Sequence, residues 1–197
     1  VSITQQEKNA IQKFFPNSSV TEISNPIPFK KDKISTQIKR KRLVYFGRIH
    51  PHKNLDLVVK AFKKADLNDQ WKLDIYGIKD DQIYYEKLKK IIGSNKQINI
   101  KDPVFGKSKQ AILEESWINI LVSKSEVLSL SILESSTHKL PSLVNENIET
   151  TGLEDSIIST ETKLESITKN IKKVCNWSLE ERLKIGENIS DNVEKKT

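Results

Sequence analysis

"RLVYFGRIHPHKN", residues 42–54, is a short aromatic and β-branched run that stops at a glycine. An arginine, two histidines flanking a proline, and a lysine follow. The first half has the length and composition of a buried strand. Beyond it, Leu55, Val58, Val59, Phe62 and Ala65 recur at i, i+3, i+4, i+7 spacing, so the strand gives way to an amphipathic helix. "WKLDIYG", residues 71–77, repeats the strand and its glycine, and Tyr84, Leu88, Ile91 and Ile92 repeat the helical stripe. Two such units in succession predict crossover connections rather than hairpins.

The alternation continues downstream. "QINI" (97–100) reads as a strand, Ser108 as the cap of a helix reaching about Glu115, and "WINILV" (117–122) as another buried strand. A helix over 130–137 leads into "LPSLV" (140–144). "SIIS" (156–159) is a weaker strand, and Leu164, Ile167, Ile171 and Val174 mark a further helix. The last helix opens at "SLEE", where Ser178 and Glu181 have capping-box spacing. Apolar strands separated by helices predict an α/β fold, a doubly wound, Rossmann-like parallel sheet with helices on both faces. Upstream, a helix-like stretch from Thr4 to Phe15 precedes "VTEISNPIPF" (20–29), a short strand and two prolines. The expected division is a connection over 1–25, the Rossmann-like domain over 26–177 and a C-terminal helix over 178–197.

The composition limits the partners. A net charge of +7 suits an anionic partner, whether a phosphate ligand, a lipid surface or a nucleic acid. The densest basic runs, "KKDK" (30–33) and "KRKR" (39–42), contain no aromatic residue for base stacking, so they read as a solvated linker and no nucleic-acid partner is expected. The single cysteine, Cys175, can form neither an internal disulfide nor a Cys-based zinc site, which favours a reducing compartment and makes the cytoplasm the expected location. No apolar stretch approaches the roughly 18 residues that span a bilayer. The sequence contains no methionine, and a piece of a longer protein is the expectation.

In an open parallel sheet, ligands sit beyond the carboxyl ends of the strands. Gly47, Arg48 and Lys53 fall at that end of the first strand. Glycine permits close backbone approach, while arginine and lysine in one short loop can grip a diphosphate as a planar fork and a point charge. His50 and His52 have only His138 as a third histidine, too few for a metal site, so a structural or solvent-exposed role is expected for both and no metal is.

A second constellation, "SKSEVLSLSILESSTHKLPSLV" (123–144), separates Glu126 from Glu134 by seven residues and ends at Leu140 and Pro141. The order Gly47-Arg48, Lys53, Glu126, Glu134, Leu140-Pro141, with "DPVFGKSKQAILEESWINILVSKSE" (102–126) leading into it, resembles the C-terminal, donor-binding half of GT-B glycosyltransferases, most closely glycosyltransferase family 4, or glycosyl transferases group 1. The resemblance implies one half of a GT-B fold that binds a nucleoside-diphosphate sugar without further cofactor. By the same resemblance Arg48 and Lys53 bind the donor diphosphate, Glu134 the ribose hydroxyls and Glu126 the donor sugar. Val104 and Phe105 lie where the family packs the base. Backbone N–H groups from about Leu128 through Ser129 and Leu130 to Ser131 meet the phosphates at a helix start. A missing N-terminal domain would hold a glycan or lipid-linked acceptor, with transfer retaining the anomeric configuration and serving surface polysaccharide or lipopolysaccharide synthesis. The implied setting leaves room for peripheral association with the inner face of the membrane. Val127, Leu128 and Ser129 stand where the family often has Gly-Phe-Gly, and "HKL" (138–140) replaces a commoner small residue and glycine, so a noncatalytic nucleotide-binding or interaction module derived from the family is the alternative.

Overall fold

The chain folds around strands β1 (Arg42–Phe46), β2 (Lys72–Tyr76), β3 (Ile98–Lys101), β4 (Ile118–Leu121), β5 (Ser142–Asn145) and β6 (Ile157–Thr160). The helices are α1 (Gln5–Phe14), α2 (Leu55–Ala65), α3 (Gln82–Ile92), α4 (Gly106–Glu115), α5 (Leu130–Thr137), α6 (Leu164–Cys175) and α7 (Leu179–Glu194). This is a computed structural model, and it describes residues 2, 5–21, 23, 39–126, 129–148, 150 and 156–194. The sheet runs β3-β2-β1-β4-β5-β6 with every pairing parallel. The Rossmann-like, doubly wound expectation is met.

Strand alternation explains why both faces carry helices. Leu43 and Tyr45 of β1, with their registered neighbours Leu73 and Ile75 of β2, enter the main core together with Leu55, Val59 and Phe62 of α2 and Ile167, Ile171 and Val174 of α6. Val44 and Phe46 point the other way and, with Tyr76, form a second core closed by Leu113 of α4 and Leu140. Each such aliphatic or aromatic side chain withdrawn from water contributes roughly 1.5–3 kcal/mol. The second face also carries buried polar side chains, Asp74 of β2 and Asn119 of β4, both in register with Val44. Asp74, 1% exposed, receives Arg42 Nε at 3.1 Å, Lys101 Nζ at 2.7 Å and Asn99 Nδ2 at 2.8 Å. Burial alone would lower the Lys101 pKa, but the hydrogen bond and charge of Asp74 outweigh it and hold it above the ordinary lysine value.

Three expectations need correction. The "KRKR" run is only in part a solvated linker: Arg40 and Lys41 are exposed, yet all four residues are tied to the domain. Lys39 donates to the Glu114 carbonyl, Arg40 pairs with Glu115 at 2.8 Å, Lys41 bonds Gln70 at 2.9 Å and Arg42 begins β1. The C-terminal turn of α4 offers free carbonyls and two glutamates there, and basic side chains satisfy both. The second correction is the start of α4. It opens at Gly106 (φ +52°), with Phe105 at the cap and no side-chain cap bond, so Ser108 lies inside the helix. Third, the expected strand within 20–29 appears, among the described residues, only as Thr21 and Ile23 bonded through their backbones to Ser2; the prolines and the "KKDK" run lie outside the described residues. The capping box forms as read, with Ser178 N–H donating to Glu181 Oε2 at 2.7 Å and Glu181 N–H to Ser178 Oγ at 3.1 Å.

Strand order reverses between β1 and β4, because the chain builds outward to β3 on one side and to β6 on the other. That junction is the crevice where an open α/β sheet accepts a ligand.

Candidate functional site

The loop leaving β1 continues its pairing with the loop leaving β2. Gly47 N–H donates to Tyr76 O at 3.1 Å and Ile49 N–H to Ile78 O at 2.8 Å. Ile49 is fully buried, which turns its neighbour Arg48 outward, and the Arg48 guanidinium meets Asp80 at 3.1 Å. Gly77 makes the close approach possible: a Cβ there would lie 2.0 Å from the Gly47 carbonyl oxygen. Tyr45 donates its hydroxyl to Arg48 O at 2.8 Å, and burial, followed by the nearby Glu126 charge, pushes its pKa up, so it stays a donor.

A single 3-10 turn over Pro51–Lys53 then brings the chain to α2. His50 Nδ1 caps it by accepting from His52 N–H at 3.1 Å, and Asn54 closes it in the left-handed conformation (φ +52°). The His52 ring lies 2.9 Å from the Ser125 carbonyl, Lys124 N–H donates to His52 O at 2.9 Å, and Asn54 Nδ2 donates to Val122 O at 2.9 Å. These bonds stitch the loop after β1 to the loop after β4. Both histidines thus have the structural role expected of them. His138 sits with Nδ1 3.4 Å from Glu114. Among the described residues no cluster of three or more His, Cys, Asp or Glu side chains forms a metal site.

The stitching places Lys53 and Glu126 in an ion pair, with side chains only 12% and 17% exposed. They flank a cleft of about 420 Å³. Gly47, Arg48, Lys53, Val104, Phe105, Glu126, Ser129 and Leu130, all predicted from the sequence, line it. Phe46 and Tyr76, stacked at 5.2 Å and 14°, line it as well. Helix α5 opens at the cleft. Its first internal bonds run from Ile132 and Leu133 N–H to Ser129 O, so the N–H groups of Leu130 and Ser131 have no acceptor in the helix. Leu128, with Val127, lies outside the described residues. Glu134 is set back from the cleft lining and pairs with Lys109 of α4, which does line it.

Sequence reading passed over Lys109, Asp80 and Gly77. Lys109 stands four residues before the buried Leu113, so a lysine occupies the apolar stripe of its helix; that was the available signal. Asp80 gave none, because its loop meets Arg48 only through the pairing of β1 with β2. The resulting site holds its cations in balance: Arg48 with Asp80, Lys53 with Glu126 and Lys109 with Glu134. At Arg48 and Lys53 such a site can exchange carboxylates for phosphate oxygens and leave a released carboxylate to accept from hydroxyls.

Known proteins agree with this architecture. In an S. aureus TarM complex with fondaparinux, alpha-GlcNAc-glycerol and UDP, the match has a TM-score of 0.80 at 18% identity, covering 99% of this chain and 40% of that one. The pneumococcal O-GlcNAc transferase GtfA, in complex with UDP and GlcNAc, gives 0.75 at 19%, covering 98% and 41%. WaaG, a glycosyltransferase involved in lipopolysaccharide biosynthesis, gives 0.76 at 16%, covering 98% and 57%. At these identities the likeness establishes the fold, and the chain spans about two fifths to three fifths of the length of these proteins. No curated protein matches the chain. The profile of glycosyl transferases group 1 matches residues 27–191, nearly the whole sequence and all of the cleft, and the chain belongs to that family.

Proposed function

We propose that this chain is the donor-binding domain of a retaining glycosyltransferase of family 4. In this reading the full-length protein transfers a sugar from a nucleoside-diphosphate sugar to a glycan or lipid-linked acceptor, in surface polysaccharide or lipopolysaccharide synthesis at the cytoplasmic side of the membrane. Residues 26–177 bind the donor. Residues 1–25 connect to a second, N-terminal Rossmann-like domain that holds the acceptor, and the helix within 178–197 returns toward it. The observation that carries the reading is the Lys53–Glu126 pair, which joins the two sequence motifs across the switch point of the sheet.

The chemistry assigned to each residue follows from its place. Arg48 and Lys53 take the diphosphate, and the N-terminus of α5 adds partial positive charge, so negative charge developing on the departing nucleoside diphosphate meets donors already in position. Glu126, released from Lys53, accepts from hydroxyls of the donor sugar. Glu134 accepts from the ribose, and Val104 and Phe105 pack the base. Uracil is the first base to test, since the TarM and GtfA complexes contain UDP. Catalysis by positioning needs donor and acceptor held together. Residues 1–197 alone should therefore bind nucleotide without transferring sugar, whereas a protein extended by the N-terminal domain should transfer with retention. NMR of the product's anomeric proton tests this. Transfer by residues 1–197 alone, or an inverted product from the extended protein, would refute it.

A further inference from the structure

The cleft contains a cation that the proposed diphosphate seat does not use. Lys109 lies on the face of α4 that Leu113 buries against the sheet. Its ammonium is held by two groups: the Glu134 carboxylate, with which it forms an ion pair, and the Phe46 ring, whose centroid is 5.1 Å away. The two paired side chains are only 19% and 29% exposed. An exposed surface pair would wander among many geometries. This one joins α4 to α5 at the cleft that Lys109 lines, with the aromatic ring fixing the ammonium from a second direction.

The consequence concerns Glu134. A carboxylate reads a vicinal diol only if both oxygens are presented together, yet a glutamate side chain has a broad terminal torsion that lets the carboxylate plane turn. Anchoring Oε2 on Lys109 fixes that plane and leaves Oε1, with the remaining lone pairs of Oε2, for hydroxyl donors. An ammonium has no lone pair, so it cannot compete for those hydroxyl protons. We propose that Lys109 is a positioning residue for ribose recognition, holding Glu134 in the orientation that lets the site prefer ribonucleotides to deoxyribonucleotides. The inference rests on the reading of the cleft as a nucleotide-sugar site.

The test is calorimetry on the full-length protein with the tightest-binding of UDP, GDP and ADP and with its 2′-deoxy counterpart. Loss of one hydroxyl to a charged acceptor corresponds to roughly tenfold in affinity, which is the preference expected of the wild type. Lys109→Met keeps the length and the contact with Phe46, and Lys109→Gln is a polar second variant. In both, the preference should fall to within about twofold of unity, with the ribonucleotide losing more affinity than the deoxynucleotide, which keeps only its 3′-hydroxyl for Glu134, and Glu134→Gln should lower the preference in the same way. Equal weakening of both nucleotides would make Lys109 a general electrostatic or structural contributor and overturn the proposal. An unchanged preference in both Lys109 variants, with Glu134→Gln losing it, would overturn this assignment alone. Absence of any nucleoside diphosphate binding by the wild type would overturn the donor-site reading, and this inference with it.

Discussion

Lys53, on the turn after β1, and Glu126, on the loop after β4, lie 73 residues apart in sequence and form one ion pair at the point where strand order reverses. In the proposed reading, the cation assigned to phosphate is neutralised by the carboxylate assigned to the sugar. Binding of a diphosphate at Lys53 would then free Glu126, so that seating the nucleotide and exposing the sugar-facing group would be one event.

That coupling separates the roles of the two glutamates. Glu134→Gln should weaken the nucleoside diphosphate itself by about 1.5–3 kcal/mol, the range for hydrogen bonds to a charged group. Glu126→Gln should not weaken nucleoside diphosphate, since it removes the carboxylate that competes for Lys53, while it should impair turnover of the sugar nucleotide by the full-length enzyme. Calorimetry and initial rates check both, and equal losses of diphosphate affinity would contradict the division.

Gly77 carries the close contact between the ends of β1 and β2. A methyl group there meets the Gly47 carbonyl oxygen at 2.0 Å, backbone that cannot rotate aside. Gly77→Ala should cost at least about 1–3 kcal/mol in urea unfolding, as overpacking does, and should weaken nucleotide binding by shifting the loop that carries Arg48. Stability and affinity both unchanged would show that the loop does not depend on this approach.

The buried Asp74 balances Arg42 and Lys101. Removing Asp74 leaves the half-buried Arg42 and Asn99 without their acceptor, while Lys101 can turn to water, so Asp74→Ala should destabilise the domain by about 1–3 kcal/mol. Denaturant titration tests this, and a loss under about 1 kcal/mol would place the cluster among weak surface pairs.

How much of this was legible beforehand follows from periodicity. Strands β1, β2 and β4 and helices α2, α3, α5 and α6 were readable because their apolar residues recur at strand or helix spacing and each strand is bounded by a turn signal. Arg48, Lys53, Glu126 and Glu134 were readable as chemistry in loops or at a helix start; the first three line one cleft, and Glu134 stands behind it, paired with Lys109. What escaped was tertiary. Lys39 and Arg40 look like a solvated run until the C-terminus of α4 supplies acceptors from far along the chain. Lys109 and Asp80 become meaningful only beside Glu134 and Arg48, and no local pattern encodes those neighbours. Gly106, rather than Ser108, starts α4 because a left-handed backbone there is open to glycine at no cost, whereas a serine cap was the stronger local cue.

Lys39 also gives a pH signature. Burial, then the charge of Arg182, lowers its pKa to about 8, with Glu114 opposing them. The unfolded chain keeps that lysine protonated up to its ordinary 10.5. Between those values the unfolded state binds more protons, so stability contributed at this site rises with pH. Wild-type protein should gain stability relative to Lys39→Met from pH 8 to about 10, and comparing the two cancels the opposite effect of the buried thiol and phenols. A difference independent of pH across that interval would contradict the assignment.

In the proposed reading, the cleft between the loops after β1 and β4 seats a nucleoside diphosphate on Arg48 and Lys53. Calorimetric titration with UDP, GDP and ADP, each beside its nucleoside, tests it most directly. At least one diphosphate should bind tenfold or more tightly than its nucleoside, and the Arg48→Ala, Lys53→Ala double variant should abolish that difference while still binding the nucleoside. Equal affinity for nucleoside and diphosphate in the wild type, or a preference that survives the double variant, would contradict it.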